Sequence, residues 1–268
     1  MLTAYDHPSA RIAAAGGVDI ILVGDSAAMT MLGHANTRDI TVAELLVLSR
    51  AVRRGAPSTP IVSDLPFGSY ETSDDLAVAT ARRFATEAGC DAVKLEGAGE
   101  MTSRVRAIVG AGIPVIGHVG LLPQSVTSPE GYRARGRDAD QALAIVRDAR
   151  ALEDAGCAAL VIEAVPAEIT ALVVERVGIP VIGIGAGAAD GQVLVYHDLL
   201  GFTEGKAPRF VARYAEGRAT LVDAVSRWAE DVRAAVYPAV QHTYPISAEA
   251  LGVVRDTLNA DPAIAPAS

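Results

Sequence analysis

The segment "EAGCDAVKLEG", residues 87–97, has a layout that the chain repeats and that decides its fold. A helical end leads through a glycine into a short apolar run, and an acidic residue lies at or near the end of that run. The same layout recurs in "AAGGVDIILVGDS" at 14–26 and in "DAGCAALVIEAV" at 154–165. These runs are continuous and rich in Val and Ile, which is typical of strands buried on both faces.

A second layout, an apolar run that follows Ile-Pro, occurs in "AGIPVIGHVG" at 111–120 and "VGIPVIGIGAG" at 177–187. Helical segments lie between the runs, and this alternation indicates parallel βαβ units. Eight such units in about 250 residues match a (β/α)8 TIM barrel. The predicted strands lie near residues 2–5, 20–24, 61–64, 92–96, 115–118, 159–163 and 181–184, with an eighth candidate at 193–196.

The eighth unit is the least regular part of this prediction. Only a few residues separate the seventh run from "DGQVLVYHDLLG" at 190–201, too few for a crossover helix. That segment is therefore the eighth strand, a helix, or an irregular last unit, and a doubly wound sheet stays as the alternative fold. We expect a single (β/α)8 catalytic domain over 1–268, with a flexible tail from about 258.

Composition excludes several classes of function. The chain of 268 residues has a formal net charge of −9 and no basic stripe, so we expect neither nucleic acid nor an anionic membrane as a partner. No apolar stretch approaches the roughly 20 residues of a membrane span, and no signal peptide is visible. Together with only two cysteines, Cys90 and Cys157, this favours a cytoplasmic protein with buried, reduced thiols.

Polar residues lie at or near the ends of five consecutive predicted strands. They are Asp25, Asp64, Glu96, His118 and Glu163. In a barrel, the carboxyl ends of the strands meet at one rim, where active sites lie. Three carboxylates brought together raise one another's pKa, and a hard divalent cation with oxygen ligands removes that conflict. Asp25, Asp64 and Glu96 are therefore predicted to form a Mg²⁺ site, with some ligands acting through water.

Two further groups at this rim have other predicted roles. Glu163 lies farther round the barrel and is a natural general base. Lys94 precedes Glu96 by two positions, so both side chains point to the same face of the strand. From the residues alone, Lys94 either binds a substrate carboxylate or acts as a Schiff-base nucleophile. Asp6 and His7 follow the first run and are either site residues or, at least equally well explained, part of a turn or helix cap.

The chain closely resembles the ketopantoate hydroxymethyltransferases from residue 2 to about 240. Ten sequence blocks in the same order carry the resemblance, which makes it far more specific than a single motif. They are "LTAYD", "LVGDS", "VRRGAP", "SDLPFGSY", "VKLEG", "GHVGLLPQSV", "GYRARGR", "ALEDAG", "IPVIGIGAG" and "DGQVLVYHDLLG".

This resemblance implies a (β/α)8 barrel of the phosphoenolpyruvate/pyruvate-binding type. It also implies transfer of a hydroxymethyl group from 5,10-methylenetetrahydrofolate to C3 of α-ketoisovalerate (3-methyl-2-oxobutanoate). The product, ketopantoate (2-dehydropantoate), serves pantothenate and coenzyme A synthesis. The implied cofactor is Mg²⁺, which stabilises an enolate of the substrate, so a Schiff base at Lys94 is disfavoured. The implied assembly is a homodecamer.

The resemblance also implies residue roles. The magnesium positions carry over to Asp25 in "VGDS", Asp64 in "DLPF" and Glu96 in "VKLEG". Glu163 matches the proton acceptor of the family. The substrate-binding positions carry over to Asp25, Ser26, Asp64, Lys94 and His118.

The chain also departs from the family, and other functions stay open. Family members have further residues before "TAYD", so the N-terminus is interpreted as shortened or its start as misassigned. The main alternative is a Mg²⁺-dependent carbon–carbon lyase or phosphonate mutase of the same superfamily, acting on a 2-oxo acid. Those enzymes typically carry a catalytic cysteine loop that this chain lacks. A Schiff-base aldolase using Lys94 and a non-catalytic 2-oxo-acid-binding protein are the remaining alternatives.

Overall fold

The computed structural model of the chain describes residues 1–128, 131–205, 207–261 and 264. The chain divides into two compact units, Met1–Glu216 and Gly217–Ser268. The first unit contains a sheet surrounded by helices, and the second is helical. The single domain expected over 1–268 stays a prediction. Of the tail expected from about 258, residues 258–260 still belong to the last helix, and most of the remainder lies outside the described residues.

The first unit contains one sheet of eight parallel strands that pair in chain order. They are β1 (Leu2–Thr3), β2 (Ile21–Val23), β3 (Ile61–Asp64), β4 (Ala92–Glu96), β5 (Val115–Gly120), β6 (Ala159–Glu163), β7 (Val181–Ile184) and β8 (Gly191–Gln192). Leu2 forms a parallel bridge with Leu194, and the Thr3 amide donates to the Leu194 carbonyl at 3.1 Å. The sheet therefore closes on itself as a barrel, and the doubly wound alternative is wrong.

Helices connect most of the strands and continue after the barrel. In the first unit they are α1 (His7–Ala15), α2 (Ala27–Thr30), α3 (Val42–Gly55), α4 (Asp74–Glu87), α5 (Met101–Gly110), α6 (Ala139–Asp154), α7 (Ala167–Val174) and α8 (Tyr196–Leu199). The second unit holds α9 (Gly217–Arg233) and α10 (Ala248–Ala260). Within the described ranges, no helix combines the length and apolar character needed to cross a bilayer.

The helices begin where the sequence places capping residues. Thr41 caps α3 in a reciprocal capping box with Glu44, which satisfies backbone donors that the helix itself cannot pair. Ser73 precedes α4 and Asp138 precedes α6, and the side chain of each accepts a hydrogen bond from a backbone amide in the first turn. Asp6 accepts a hydrogen bond from the Ser9 amide at 2.7 Å and caps α1. The cap interpretation of Asp6 is therefore confirmed.

The eighth unit differs from the predicted strand at 193–196. The eighth strand is Gly191–Gln192, and the one-turn helix α8 begins at Tyr196. Residues 185–190 join β7 to β8 without a crossover helix, and the two strands still pair in parallel, with Ile182 opposite Gly191. The last unit is thus irregular, as the short spacing indicated, and "DGQVLVYHDLLG" contains both a strand and a helical turn.

The interior of the barrel explains why β4 carries an amine and a carboxylate. Ala92 belongs to an apolar cluster formed by inward-facing strand residues, whereas Val93 and Leu95 belong to the larger core between strands and helices. Because strand side chains alternate between faces, Lys94 and Glu96 share the inner face with Ala92. The inner face is therefore apolar at the amino end of β4 and charged at its carboxyl end.

Both cysteines precede strands, Cys90 before β4 and Cys157 before β6, so they lie at the amino rim of the barrel. Both thiols are buried. Burial raises the pKa of Cys90 to about 11 and that of Cys157 to about 12. The expectation of buried, free thiols is confirmed, and neither cysteine lines the cavity at the carboxyl rim.

These raised pKa values predict thiols that are inert in the folded chain. At pH 8 we expect iodoacetamide to alkylate native Cys90 and Cys157 at least about 100-fold more slowly than a cysteine in a short peptide, because alkylation requires the thiolate. In denaturant both should react, which intact mass spectrometry would record as two additions. Labelling of the native chain at the rate of the peptide would contradict this expectation.

Candidate active site

A cavity of about 550 Å³ opens at the carboxyl rim of the barrel. All of the predicted site residues line it, namely Asp25, Ser26, Asp64, Lys94, Glu96, His118 and Glu163. Leu22, Val161 and Val193 contribute its apolar wall. The structure therefore brings together the residues selected from strand ends, next to a surface that suits a short branched apolar group. Their roles in binding and catalysis stay proposals.

Lys94 is buried beside carboxylates rather than exposed to water. Its Nζ atom lies 2.9 Å from Asp64 Oδ1 and 3.3 Å from His118 Nδ1. Burial lowers the pKa of Lys94, but the negative charges of Asp64, Glu96 and Asp25 outweigh burial and raise it above its ordinary value. Lys94 is thus held as an ammonium group, which is the wrong form for nucleophilic attack on a carbonyl. The geometry favours an anion-binding role over a Schiff base.

His118 connects the Lys94 side of the site to Glu163. Its Nε2 atom lies 3.3 Å from Glu163 Oε2, and its Nδ1 atom lies 3.5 Å from Glu96 Oε1. Burial and the charge of Lys94 lower the pKa of His118, but Glu163 and Glu96 outweigh them and raise it to about 9. The protonated ring and the neutral Nε2–H tautomer both carry a proton on Nε2. In either form Nε2–H faces Glu163 at the distance of an ion pair, although Nε2 completes no hydrogen bond among the described residues.

Glu163 and His118 differ in how far their side chains are exposed to the cavity. The Glu163 side chain is 17% exposed toward the cavity, whereas His118 is only 2% exposed. Glu163 can therefore meet a bound molecule, and His118 lies behind it.

Gln124 organises the acidic side of the site, although the sequence interpretation did not select it. Its Nε2 group donates to Asp25 Oδ2 at 2.9 Å and to the Leu65 carbonyl at 3.0 Å. Its backbone amide donates to Glu96 Oε2 at 3.0 Å, and its Oε1 atom accepts from the Tyr70 hydroxyl at 2.7 Å. The side-chain amide of this buried residue thus orients Asp25, and its backbone amide orients Glu96. The only sequence signal was its place in the loop after β5.

The turn after β2 places Asp25 and Ser26 against the neighbouring strand end. The Asp25 amide donates to Asp64 Oδ2 at 2.9 Å, and Ser26 Oγ lies 2.8 Å from the Tyr5 hydroxyl. A Cβ atom on Gly24 would lie 2.9 Å from Ser26 Oγ, so a larger residue would displace the serine. Burial raises the pKa of Tyr5 to about 12, so its hydroxyl stays protonated and holds Ser26 in place.

The donor atoms on this side of the cavity suit a hard cation. Within the described part of the chain, the buried Glu96 Oε1 accepts no hydrogen bond, and the buried Asp64 Oδ1 has only the ion pair with Lys94. Burial raises the pKa of Asp25 well above its ordinary value, and the charges of Asp64 and Glu96 raise it further. A cation beside these oxygens would oppose both effects and favour the carboxylate form of Asp25.

The spacing of these carboxylates is wider than that of a closed metal cage. Among the residues that the structure describes, no three His, Cys, Asp or Glu side chains are close enough to hold one ion together. Mg²⁺ usually keeps several waters and takes one or two carboxylates directly. The residues thus fit Mg²⁺ with a mixture of direct and water-mediated contacts, and the three-carboxylate site stays a proposal.

Solved structures share this fold at low sequence identity. Phosphonopyruvate hydrolase in complex with oxalate and Mg²⁺ has a TM-score of 0.57 and 15% identity, covering 98% of this chain and 93% of its own. A 2,3-dimethylmalate lyase, a member of the PEP mutase/isocitrate lyase superfamily, has a TM-score of 0.57 and 17% identity, covering 98% and 92%. The shared fold and the acidic barrel mouth define the class of this chain as a (β/α)8 barrel with a polar site at the carboxyl rim.

Relatives in sequence narrow this class. The family model of ketopantoate hydroxymethyltransferase matches residues 1–240. The 3-methyl-2-oxobutanoate hydroxymethyltransferase of Oleidesulfovibrio alaskensis is 51% identical over 245 residues, which are 91% of this chain and 85% of the relative. That of Geobacillus kaustophilus is 48% identical over 250 residues, which are 93% and 90%. The chain belongs to the ketopantoate hydroxymethyltransferase family, and the family assignment made from the sequence is confirmed.

Proposed function

We propose that this chain transfers a hydroxymethyl group from 5,10-methylenetetrahydrofolate to C3 of α-ketoisovalerate, with Mg²⁺ as cofactor. One observation supports this proposal above all. Two buried carboxylate oxygens that accept no hydrogen bond in the described part of the chain line the same cavity as a partly exposed carboxylate. They are Asp64 Oδ1, whose contact is the ion pair with the Lys94 ammonium group, and Glu96 Oε1. The carboxylate oxygens match a metal ion, the ammonium group of Lys94 matches the anion of a 2-oxo acid, and the carboxylate of Glu163 can accept a proton.

Asp25, Asp64 and Glu96 would hold the metal, directly or through water. When bound, Mg²⁺ supplies Lewis-acid stabilisation of the negative charge that spreads onto the keto oxygen as C3 loses its proton. Gln124 keeps Asp25 and Glu96 oriented toward this position through its two hydrogen bonds to their side chains. A supporting contact of this kind preserves ligand geometry without touching the metal.

Lys94 and Ser26 bind the carboxylate of α-ketoisovalerate in this proposal. Lys94 is a buried ammonium group, so its attraction for an anion is weakly screened by water. Ser26 is held in position by Tyr5, and the apolar wall of Leu22, Val161 and Val193 accommodates the branched end of the substrate. Fixing both ends of the molecule orients C3 before any bond changes, which lowers the entropic part of the barrier.

Glu163 accepts the C3 proton, and His118 fixes the Glu163 carboxylate by facing it with Nε2–H. The deprotonated C3 then forms a carbon–carbon bond with the methylene carbon of the carrier. Both bonds from that carbon to folate nitrogens break, and one water supplies the new hydroxyl group. The products are ketopantoate and tetrahydrofolate, so no oxidant or reductant is required.

Two broader features of the family are part of the proposal. The first is assembly as a homodecamer, which is supported by exposed apolar side chains on α9, among them Leu221, Val225 and Trp228. The second is a cytoplasmic location, which is supported by the two free thiols.

Incubation of the purified chain with α-ketoisovalerate, methylenetetrahydrofolate and Mg²⁺ tests the proposed function. We expect ketopantoate to form, as detected by mass spectrometry, and excess EDTA to abolish its formation. In D₂O with Mg²⁺ but without folate, proton NMR should show exchange of the C3 proton of α-ketoisovalerate. Binding of α-ketoisovalerate without exchange or product would instead indicate a non-catalytic binding protein. Product formation that survives EDTA, with borohydride trapping of substrate on Lys94, would favour the Schiff-base alternative.

A further inference from the structure

A second cavity, of about 620 Å³, lies beside the first at the carboxyl rim. Its walls come from the segments after β2, β3 and β5. They are Met29, Ala35, Asn36, Arg38, Asp39, Phe67, Val126, Thr127, Ser128 and Tyr132. Met29 and Tyr132 line both cavities, so the two share a wall. A molecule that reaches C3 of a substrate in the first cavity can thus extend into the second.

Arg38 provides an anion-binding group in this second cavity. Its guanidinium carbon lies 3.9 Å from the centroid of the Phe67 ring. Stacking occupies the flat face of a guanidinium and leaves the N–H donors at its edge available. Within the described ranges, no carboxylate pairs with Arg38, and its guanidinium makes no hydrogen bond. A bidentate carboxylate is the ligand that best fits such an edge.

The proposed co-substrate has matching chemistry at its far end. Its one-carbon unit bridges N5 of the reduced pterin and N10 of the aminobenzoyl group and must reach the first cavity, whereas the benzoyl ring and the glutamate extend away from it. We propose that the second cavity binds this aminobenzoyl-glutamate end, with Arg38 on a glutamate carboxylate and with Phe67 and Tyr132 beside the ring. This inference rests on the proposed function, since it assigns a site to the carrier.

One charge in the second cavity opposes this ligand. Asp39 lines the cavity, and its Oδ2 atom accepts a hydrogen bond from Asn36 Nδ2 at 2.9 Å. Asp39 is the only carboxylate among the described lining residues. Its charge should weaken the binding of a glutamate carboxylate, so removing it should strengthen binding while loss of Arg38 weakens it.

Calorimetric titration of the full chain with two ligands tests the assignment. One is tetrahydrofolate under reducing conditions, and the other is a tetrahydropterin that lacks the aminobenzoyl-glutamate. Arg38→Gln should weaken tetrahydrofolate binding about 10-fold or more and leave binding of the short pterin unchanged. Arg38→Lys should retain part of the affinity, and Asp39→Asn should increase it. Arg54→Gln removes an exposed arginine at the end of α3, on the amino-rim side, and serves as the matched control.

The possible outcomes distinguish this inference from the proposed function. Equal weakening of both ligands by Arg38→Gln, or no weakening of either, would overturn the assignment while leaving ketopantoate formation by the unsubstituted chain intact. If the unsubstituted chain formed no ketopantoate and bound neither ligand, both proposals would fail. Thermal unfolding of each variant shows whether it folds, and the opposite effects expected for Arg38→Gln and Asp39→Asn cannot both result from misfolding.

Discussion

Replacement of Glu163 by glutamine is expected to lower ketopantoate formation by about 100- to 10,000-fold, the usual contribution of a general base. Glutamine keeps the size of the side chain and places an amide oxygen where Glu163 Oε2 lies, 3.3 Å from His118 Nε2. An amide oxygen, however, cannot take a proton from carbon at neutral pH. Exchange of the C3 proton in D₂O should fall in parallel, because it reports the same proton transfer without folate.

Binding measurements separate this effect from a loss of structure. Calorimetry should give unchanged affinities of Glu163→Gln for Mg²⁺ and α-ketoisovalerate, since neither is assigned to this carboxylate. Glu168→Gln, an exposed substitution on the neighbouring helix α7, is the matched control and should behave as the unsubstituted chain. Exchange at the normal rate in Glu163→Gln would rule out its role as the base. Lost binding of the 2-oxo acid would show that Glu163 holds the substrate, which contradicts its assignment as the base alone.

Replacement of Asp64 by asparagine is expected to reduce Mg²⁺-dependent exchange at C3 by about 1,000-fold or more, because several kcal/mol of charge stabilisation depend on the metal. Asparagine can still accept the hydrogen bond that Asp64 Oδ2 receives from the Asp25 amide. It removes one negative charge and replaces Oδ1, the buried oxygen paired with Lys94, by an amide NH₂ group. The affinity for Mg²⁺ should therefore fall along with exchange.

The ion pair with Lys94 complicates this variant, so a second substitution accompanies it. Breaking a buried pair typically costs about 3–5 kcal/mol of stability, and Asp64→Asn should accordingly unfold at a lower temperature. Glu96→Gln leaves the Lys94–Asp64 contact intact and should lose exchange to a similar extent. Asp75→Asn, exposed in the first turn of α4, is the control. Normal exchange with normal Mg²⁺ dependence in Asp64→Asn and Glu96→Gln would refute the proposed metal site.

The sequence predicted the members of the site better than their contacts. Asp25, Asp64, Glu96, His118 and Glu163 could be grouped because parallel strands carry their carboxyl ends to one rim, whatever the connecting segments do. The period of two along β4 then brought Lys94 to the same face as Glu96. Both the location of strand ends and the alternation of side chains follow from strand geometry. An apolar run in the sequence is enough to locate the strand.

The features that the sequence missed depend on segments without such a period. Gln124 and Tyr70 lie after strands, and nothing in the local pattern shows that their side chains meet across 54 residues of chain. The second cavity likewise combines three such segments. The strand β8 has only two residues, too few to produce an apolar run, and the boundary at Glu216 follows no change in composition.

The seam of the barrel gives the molecule an uneven distribution of rigidity. At this seam, β1 contributes two residues. The described contacts that join it to the end of the barrel are the bridge at Leu194, a hydrogen bond from the Met1 amino group to the Gln192 carbonyl at 3.0 Å and one from the Tyr196 amide to Thr3 Oγ1 at 2.8 Å. Local opening requires less free energy where few backbone hydrogen bonds must break. The side chains proposed to bind the metal and to accept the proton are carried by β2 to β6 and by the turns that follow them, none of them on the strands of the seam. Fluctuations that part the seam can therefore widen the mouth of the barrel while the geometry of the reacting groups stays fixed.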